Sequence, residues 1–250
     1  MGFFSNLRSD RLITQIKSSD KPLGEETLKA VAKLKGLGQS AIEPAILALG
    51  DADRNATVAL VDVLSHLVTN KSFPLYVQGL REGNSRISQG IGWALSSARN
   101  YSPQLLLEAL NQKDTPKSAL LEAIQAHRDR FTLRELLTAA YSQEPNEKAA
   151  LFRIVAEQAT ADSAHELVAR LDGKDPIARM HIINILARFN RPEIKAAVQG
   201  QLRDQNKMIR AAALSALSRM DGPVDSSLVC HLLRDPEIDV QNRAIDVLIR

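Results

Sequence analysis

The chain has 250 residues, 44% of them apolar, 24% charged and only 4% aromatic, and its 32 basic and 29 acidic residues leave a net charge of +3. So small an excess is weak support for a polyanionic partner, the single Cys230 excludes an internal disulfide, and no stretch reaches the ~20 apolar residues of a membrane span. A helical protein of a reducing compartment, the cytoplasm, is expected.

The start, Met1-Gly2-Phe3-Phe4-Ser5-Asn6, lacks the apolar core of a secretory signal, and Asn6 stands where a myristoylation signal wants Ser or Thr. A capping helix is expected over roughly residues 5 to 18, with Phe3, Phe4 and Leu7 packing over the first repeat; contact with a membrane is the alternative. Residues 1–19 then form the cap and 20–250 the body of the chain. The glycine-rich Lys35-Gly36-Leu37-Gly38-Gln39-Ser40 lacks the arrangement of a phosphate-binding loop. It reads as a hairpin turn, with Gly36 near a helix end and Ser40 or Gln39 opening the next helix.

From there a period governs the chain. Leucines that close a helix recur at Leu49, Leu80, Leu110, Leu171, Leu202 and Leu233, with Ala140 filling the gap, at spacings of 31, 30, 30, 31, 31 and 31 residues. Such regularity is the signature of a solenoid. A second set of positions supports it. In nine-residue windows starting at residues 26, 56, 86, 116, 147, 178, 209 and 240, slots five, six, eight and nine are apolar in 30 of 32 cases, the exceptions being Lys33 and Gly90. Composition alone would give about 14. The slot between the pairs is usually polar (Asp62, Glu122, Arg153, Asn184, Ser215, Asp246), so each window is an amphipathic first helix. The distance to the closing residue leaves room for a turn and a second helix. The expected fold is an all-α solenoid of seven helical hairpins plus the first helix of an eighth.

Asp51, Asp114, Asp175, Asp204 and Asp235, with Asn84 and Asn146, fall at or before the starts of first helices, where a short acceptor side chain can cap free N–H groups. Pro116, Pro145, Pro176 and Pro236 fit the first turn or the cap. Arg179 and Arg210, in slot two, lie within reach of such aspartates. Asp175, Arg179, Asp204, Arg210 and Asp235 are therefore expected to tie one repeat to the next.

Asp204 with Ile209-Arg210, the pairs Ala213-Leu214 and Ala216-Leu217, and the run Leu232-Leu233-Arg234-Asp235 resemble the HEAT-repeat family, especially the short bacterial type called phycobilin-lyase-like HEAT repeats. The resemblance covers about residues 20 to 250, although units three and four lack the slot-two arginine. It implies the fold and leaves the activity open. Bilin lyases and HEAT-like DNA glycosylases use such a scaffold, so the resemblance allows an open-chain tetrapyrrole handler or a basic, aromatic-lined groove. Ten aromatic residues, several in core slots, supply a base-stacking groove poorly.

No residue pattern demands catalysis, a metal or a cofactor. His66, His127, His165, His181 and His231 show no metal-ligand spacing, and Cys230 and His231, being adjacent on a helix, point about 100° apart. Trp93, the single tryptophan, falls in apolar slot eight with Gly90 one turn earlier, so it is expected in the core rather than as a surface anchor.

If second helices line one face, counting back two and six residues from each closing position gives an exposed ridge. It runs through Leu47, Gln78, Glu108, Thr138, Ala169, Gly200 and His231, flanked by Glu43, Pro74, Gln104, Arg134, His165, Ala196 and Ser227. The ridge is mixed in charge, whereas a phosphate-tracking groove would be basic at most positions. Towards the end of the chain Arg170, Lys195, Arg203, His231 and Arg234 lie beside the low strip Ala169, Ala196 and Gly200. A partner helix or acidic segment could lie there; a solvated helix surface is the alternative. The last window leaves Val240, Ala244, Ile245, Val247 and Leu248 without a following second helix, so a longer protein or a docked partner is expected to cover them. The expected function is a non-enzymatic scaffold or regulatory arm, binding another protein or a further domain of its own chain. An enzyme-associated module, such as a bilin-lyase-like protein or the sensory arm of a signalling enzyme, is the alternative, and nucleic-acid binding a weaker one.

Overall fold

The computed structural model describes residues 3–19 and 24–249, and among these every regular element is helical. They form an α-solenoid architecture of helical hairpins in two compact units, residues 1–131 and 132–250.

In the first unit, α1 (Phe3–Lys17) precedes α2 (Glu25–Gly36), α3 (Ile42–Ala48), α4 (Arg54–Leu67), α5 (Phe73–Glu82), α6 (Ser85–Ser97), α7 (Gln104–Leu110) and α8 (Lys117–Ala126). The first helices stack in order, α2 on α4, α4 on α6 and α6 on α8, while α3, α5 and α7 each pack against the first helix of their own hairpin or its neighbour. The second unit repeats the plan. Here α9 (Leu133–Tyr141) packs on α10 (Pro145–Gln158), and α10, α12 (Pro176–Leu186), α14 (Lys207–Leu217) and α16 (Ile238–Ile249) stack in turn. Between them lie the second helices α11 (Ala164–Val168), α13 (Pro192–Gly200) and α15 (Ser226–Cys230). With five, nine and five residues these are too short to persist alone, so packing of their apolar sides must hold them.

The slots account for the core in most repeats. Leu151, Phe152, Ile154 and Val155 of α10, Ile182, Ile183, Ile185 and Leu186 of α12, and Ala213, Leu214, Ala216 and Leu217 of α14 are all buried. So are Leu49, Leu80, Leu110, Ala140, Leu171 and Leu202. Leu233 breaks the series: it is 39% exposed, and Leu232 enters the core at 2%. The five-residue α15 continues as a 3₁₀ turn over His231–Arg234, where residues three apart align, so Leu232 follows Val229 inward and Leu233 turns out.

Trp93 is a second correction. It is 43% exposed, not core, because the buried face of α6 runs Ile87, Ile91, Ala94 and Leu95. Those residues stand 31, not 30, positions after Ala56, Leu60, Val63 and Leu64 of α4, so the third window lies one residue out of register. The space at Gly90 is taken by Leu49, whose methyls would lie 2.7 and 2.8 Å from an added Cβ.

At the N-terminus α1 packs on α2 and α3. The Phe3 and Phe4 side chains lie outside the described residues, and Leu7 is 57% exposed, so Leu7 does not pack as a cap. Ser9, Ile13 and Ile16, spaced along one face, are the buried residues instead.

Several caps differ from expectation by a residue or two. Asp53, not Asp51, caps α4 by accepting the Ala56 N–H at 2.7 Å, and Asp51 instead pairs with Lys17. Asn206, not Asp204, caps α14 through the Met208 N–H at 2.9 Å, while Asp204 accepts from the Asn206 N–H. Asp114 stands in the left-handed region, with φ 63°, ahead of a helix whose cap position is Pro116, and Asn146 is already inside α10. Asn84 and Asp175 do cap α6 and α12. Gly36 ends α2, and a 3₁₀ turn over Gly38–Ala41 leads into α3.

Candidate functional site

Three ion pairs run through the junctions of the second unit. Lys148 pairs with Asp175, Arg179 with Asp204, and Arg210 with Asp235. Each cation sits in slot two of a first helix; Asp175 caps the next first helix, and Asp204 and Asp235 end the 3₁₀ turns that precede theirs, so the pairs hold successive hairpins in register. The Arg210–Asp235 pair is the most enclosed: the Arg210 Nε and Nη2 donate to the two Asp235 oxygens at 2.7 and 2.8 Å, and its Nη1 donates to the carbonyls of Asp204 and Gln205 at 2.9 and 3.0 Å. This hydrogen bonding holds the Asp235 carboxyl below the usual carboxylate range. At Asp175 burial pushes upward, but Lys148 and the N–H groups of Ala178 and Ile177 outweigh it and the net shift is downward. Lys148 was not among the expected tie residues. It stands 31 positions before Arg179, and asking for any cation in slot two, rather than arginine alone, finds it.

The five expected binding residues separate into two groups. Arg170 lies over the Tyr141 ring, 5.7 Å from its centroid, and Lys195 donates to the carbonyls of Asp221 and Gly222 at 2.9 and 2.7 Å. Both are occupied within the fold. Arg203, His231 and Arg234 are exposed, and none of them forms an ion pair among the described residues. Arg203 and Arg234 end equivalent 3₁₀ turns of consecutive repeats. Ala169, Ala196 and Gly200 are also exposed, and no atom lies within 4 Å of a Cβ built on Gly200, so the backbone there is open to approach.

Two histidines, His127 in the core and the half-buried His181, have structural duties. His127 is 1% exposed; one ring nitrogen meets the Leu95 carbonyl at 2.8 Å and the other meets Arg99 at 3.2 Å. With Nε2 donating to the carbonyl, Nδ1 is left to accept from the guanidinium, which fixes a neutral ring. Tyr101 donates to the same Leu95 carbonyl at 2.9 Å, so two side chains satisfy a free acceptor near the end of α6. His181 stacks on Phe152 at 5.0 Å. Burial, chiefly, holds both histidines below their ordinary value. Among the described residues no group of three or more His, Cys, Asp and Glu side chains is placed to hold a metal ion. None of the helices described is long and apolar enough to cross a membrane.

Residues 164–249 match the family model of HEAT repeats, and this part of the chain is a HEAT-repeat array. It contains α11 to α16, the exposed arginines and two of the three junction ion pairs. No curated protein matches the chain. Among solved structures it is similar to human deoxyhypusine hydroxylase in complex with glycerol, at 17% identity over 98% of this chain and 96% of that one, with a TM-score of 0.40.

Proposed function

We propose that the protein is a non-enzymatic interaction scaffold, whose second unit holds an acidic segment of another protein or of a further domain of its own chain. The carrying observation is the contrast among four cations of the second unit. Arg170 and Lys195 are spent on the fold, whereas Arg203 and Arg234 are exposed and unpaired in equivalent places on consecutive repeats. Two guanidinium groups at a fixed spacing on a rigid scaffold favour carboxylates of matching spacing, since the planar fork binds carboxylate oxygens in pairs. Ala169, Ala196 and Gly200, small and exposed in the same unit, would allow a helix backbone to come close.

Affinity capture with the intact chain, run in parallel with Arg203→Glu/Arg234→Glu, tests this reading. Both residues are exposed, so the variant should fold as the parent does, which circular dichroism checks. Acidic proteins retained by the parent and lost from the variant, with retention weakening as salt rises, are the expected result. An identical retained set overturns it.

A further inference from the structure

The second helices of the first unit present a surface of opposite character. Between α3 and α5 lies a depression of about 210 Å³ with Ile46, Leu75 and Ile87 in its lining and the backbone of Gly79 and Gly83 between them. A neighbouring depression of about 510 Å³ between α5 and α7 shares Gln78 and Glu82 with the first, so the two adjoin along α5 as a grooved surface across three helices. Leu47 stands at its edge, 70% exposed. Glu43, Glu82 and Glu108 rim it, all exposed. The one cation of the lining, Arg81, is held by hydrogen bonds to Thr115 at 3.1 Å and to Gln112, itself a lining residue, and leaves the carboxylates in excess by three to one. Apolar surface in a recess, an exposed leucine and three carboxylates against one cation define the complement: leucine-like anchors on one helix face, flanked by lysine or arginine.

We propose that this groove docks a basic amphipathic helix of a partner protein, separately from the cationic surface of the second unit. Apolar anchors entering the recess would supply affinity, and the glutamates would set the sign and register of what enters.

The probe is a labelled synthetic peptide of leucine and lysine, about four helical turns long with its leucines on one face, titrated into the full chain by fluorescence anisotropy. Three comparisons accompany it: a peptide of the same composition with the leucines scattered, a leucine–glutamate peptide, and the chain variants Leu47→Ser, Glu43→Lys/Glu82→Lys and Arg203→Glu/Arg234→Glu. The expected result is saturable binding of the amphipathic basic peptide, weakened roughly tenfold or more by Leu47→Ser and by the glutamate reversal. Arg203→Glu/Arg234→Glu should leave it unchanged. All altered side chains are exposed, and circular dichroism verifies the fold of each variant. Equal binding of the scattered peptide, or indifference to Leu47→Ser, means attraction by charge alone and overturns the proposal, as does no binding. Loss confined to the arginine variant overturns it too and leaves the second unit as the only interaction surface.

Discussion

Arg210 and Asp235, 25 residues apart, meet through two parallel hydrogen bonds in a setting that excludes most water, their side chains 11% and 4% exposed. The guanidinium also serves two backbone carbonyls at the start of its own helix. Removing it would strand a carboxylate and two acceptors at once. Arg210→Ala is therefore expected to cost about 3 kcal/mol, because breaking an enclosed pair from one side leaves an uncompensated charge. Lys29→Ala, which removes the exposed i,i+4 pair with Glu25, should cost less than about 0.5 kcal/mol. Urea denaturation of the two variants decides the point; equal costs would mean that Arg210 does not carry the junction.

Trp93 gives a second test, since it is the single tryptophan and 43% exposed. Its fluorescence should be that of a solvated indole in the native chain, shift little on unfolding, and be quenched readily by iodide or acrylamide. Trp93→Ala should cost about 1 kcal/mol or less, against the 3–5 kcal/mol of a core aromatic. A blue-shifted, unquenchable native emission would put the ring back in the core.

These two residues mark what the sequence makes legible. The slot-two cations repeat every 31 residues, and Asp235 follows Asp204 by the same 31, so the pair Arg210–Asp235 can be reached by counting. Period fixes the order of helices and, in most repeats, the inward face. It fails where a repeat gains or loses one residue, because 100° of rotation per residue carries Trp93 out and, at a 3₁₀ turn, exchanges Leu232 for Leu233. Surface chemistry was harder to read. Arg170, Lys195, Arg203 and Arg234 look alike in sequence, and only the positions of Tyr141 and of the Asp221 and Gly222 carbonyls separate occupied cations from free ones. Leu47, Gln78, Glu108 and Glu43 of the first unit follow from counting as exposed positions, but the recesses between them depend on the packing of α3, α5 and α7 and have no sequence signal.

His127 predicts a pH dependence. Its folded-state pKa lies below the ordinary histidine value, burial being the main cause and the nearby Arg99 and Arg130 adding to it. The native ring stays neutral while the unfolded chain takes up a proton below about pH 6.5, so stability is complete above that value and falls as pH drops towards the lowered folded pKa. His181, shifted the same way by burial and by Lys148, adds to the slope. Urea denaturation at about pH 7.5 and about pH 5 should show a loss that shrinks in His127→Asn and shrinks again when His181→Asn is added, each histidine contributing at most about 1.4 kcal/mol per pH unit. A parent stability that is flat across this range would refute the assignment.

Gly90 sets helix propensity against packing. It lies within α6, where alanine would normally gain about 1 kcal/mol over glycine. An added Cβ would, however, stand 2.7 and 2.8 Å from the two methyls of Leu49 and 3.2 Å from its Cγ. Leu49 is 1% exposed, so it has no free space to retreat into, and overpacking of such a site costs about 1–3 kcal/mol. Gly90→Ala should therefore destabilise by about 1 kcal/mol net, and Leu49→Ala in the same chain should turn the alanine at position 90 from a loss into a gain, because the obstructing methyls are gone. A double-mutant cycle by chemical denaturation measures the coupling, and additive effects would mean that Leu49 does not fill the space left by Gly90.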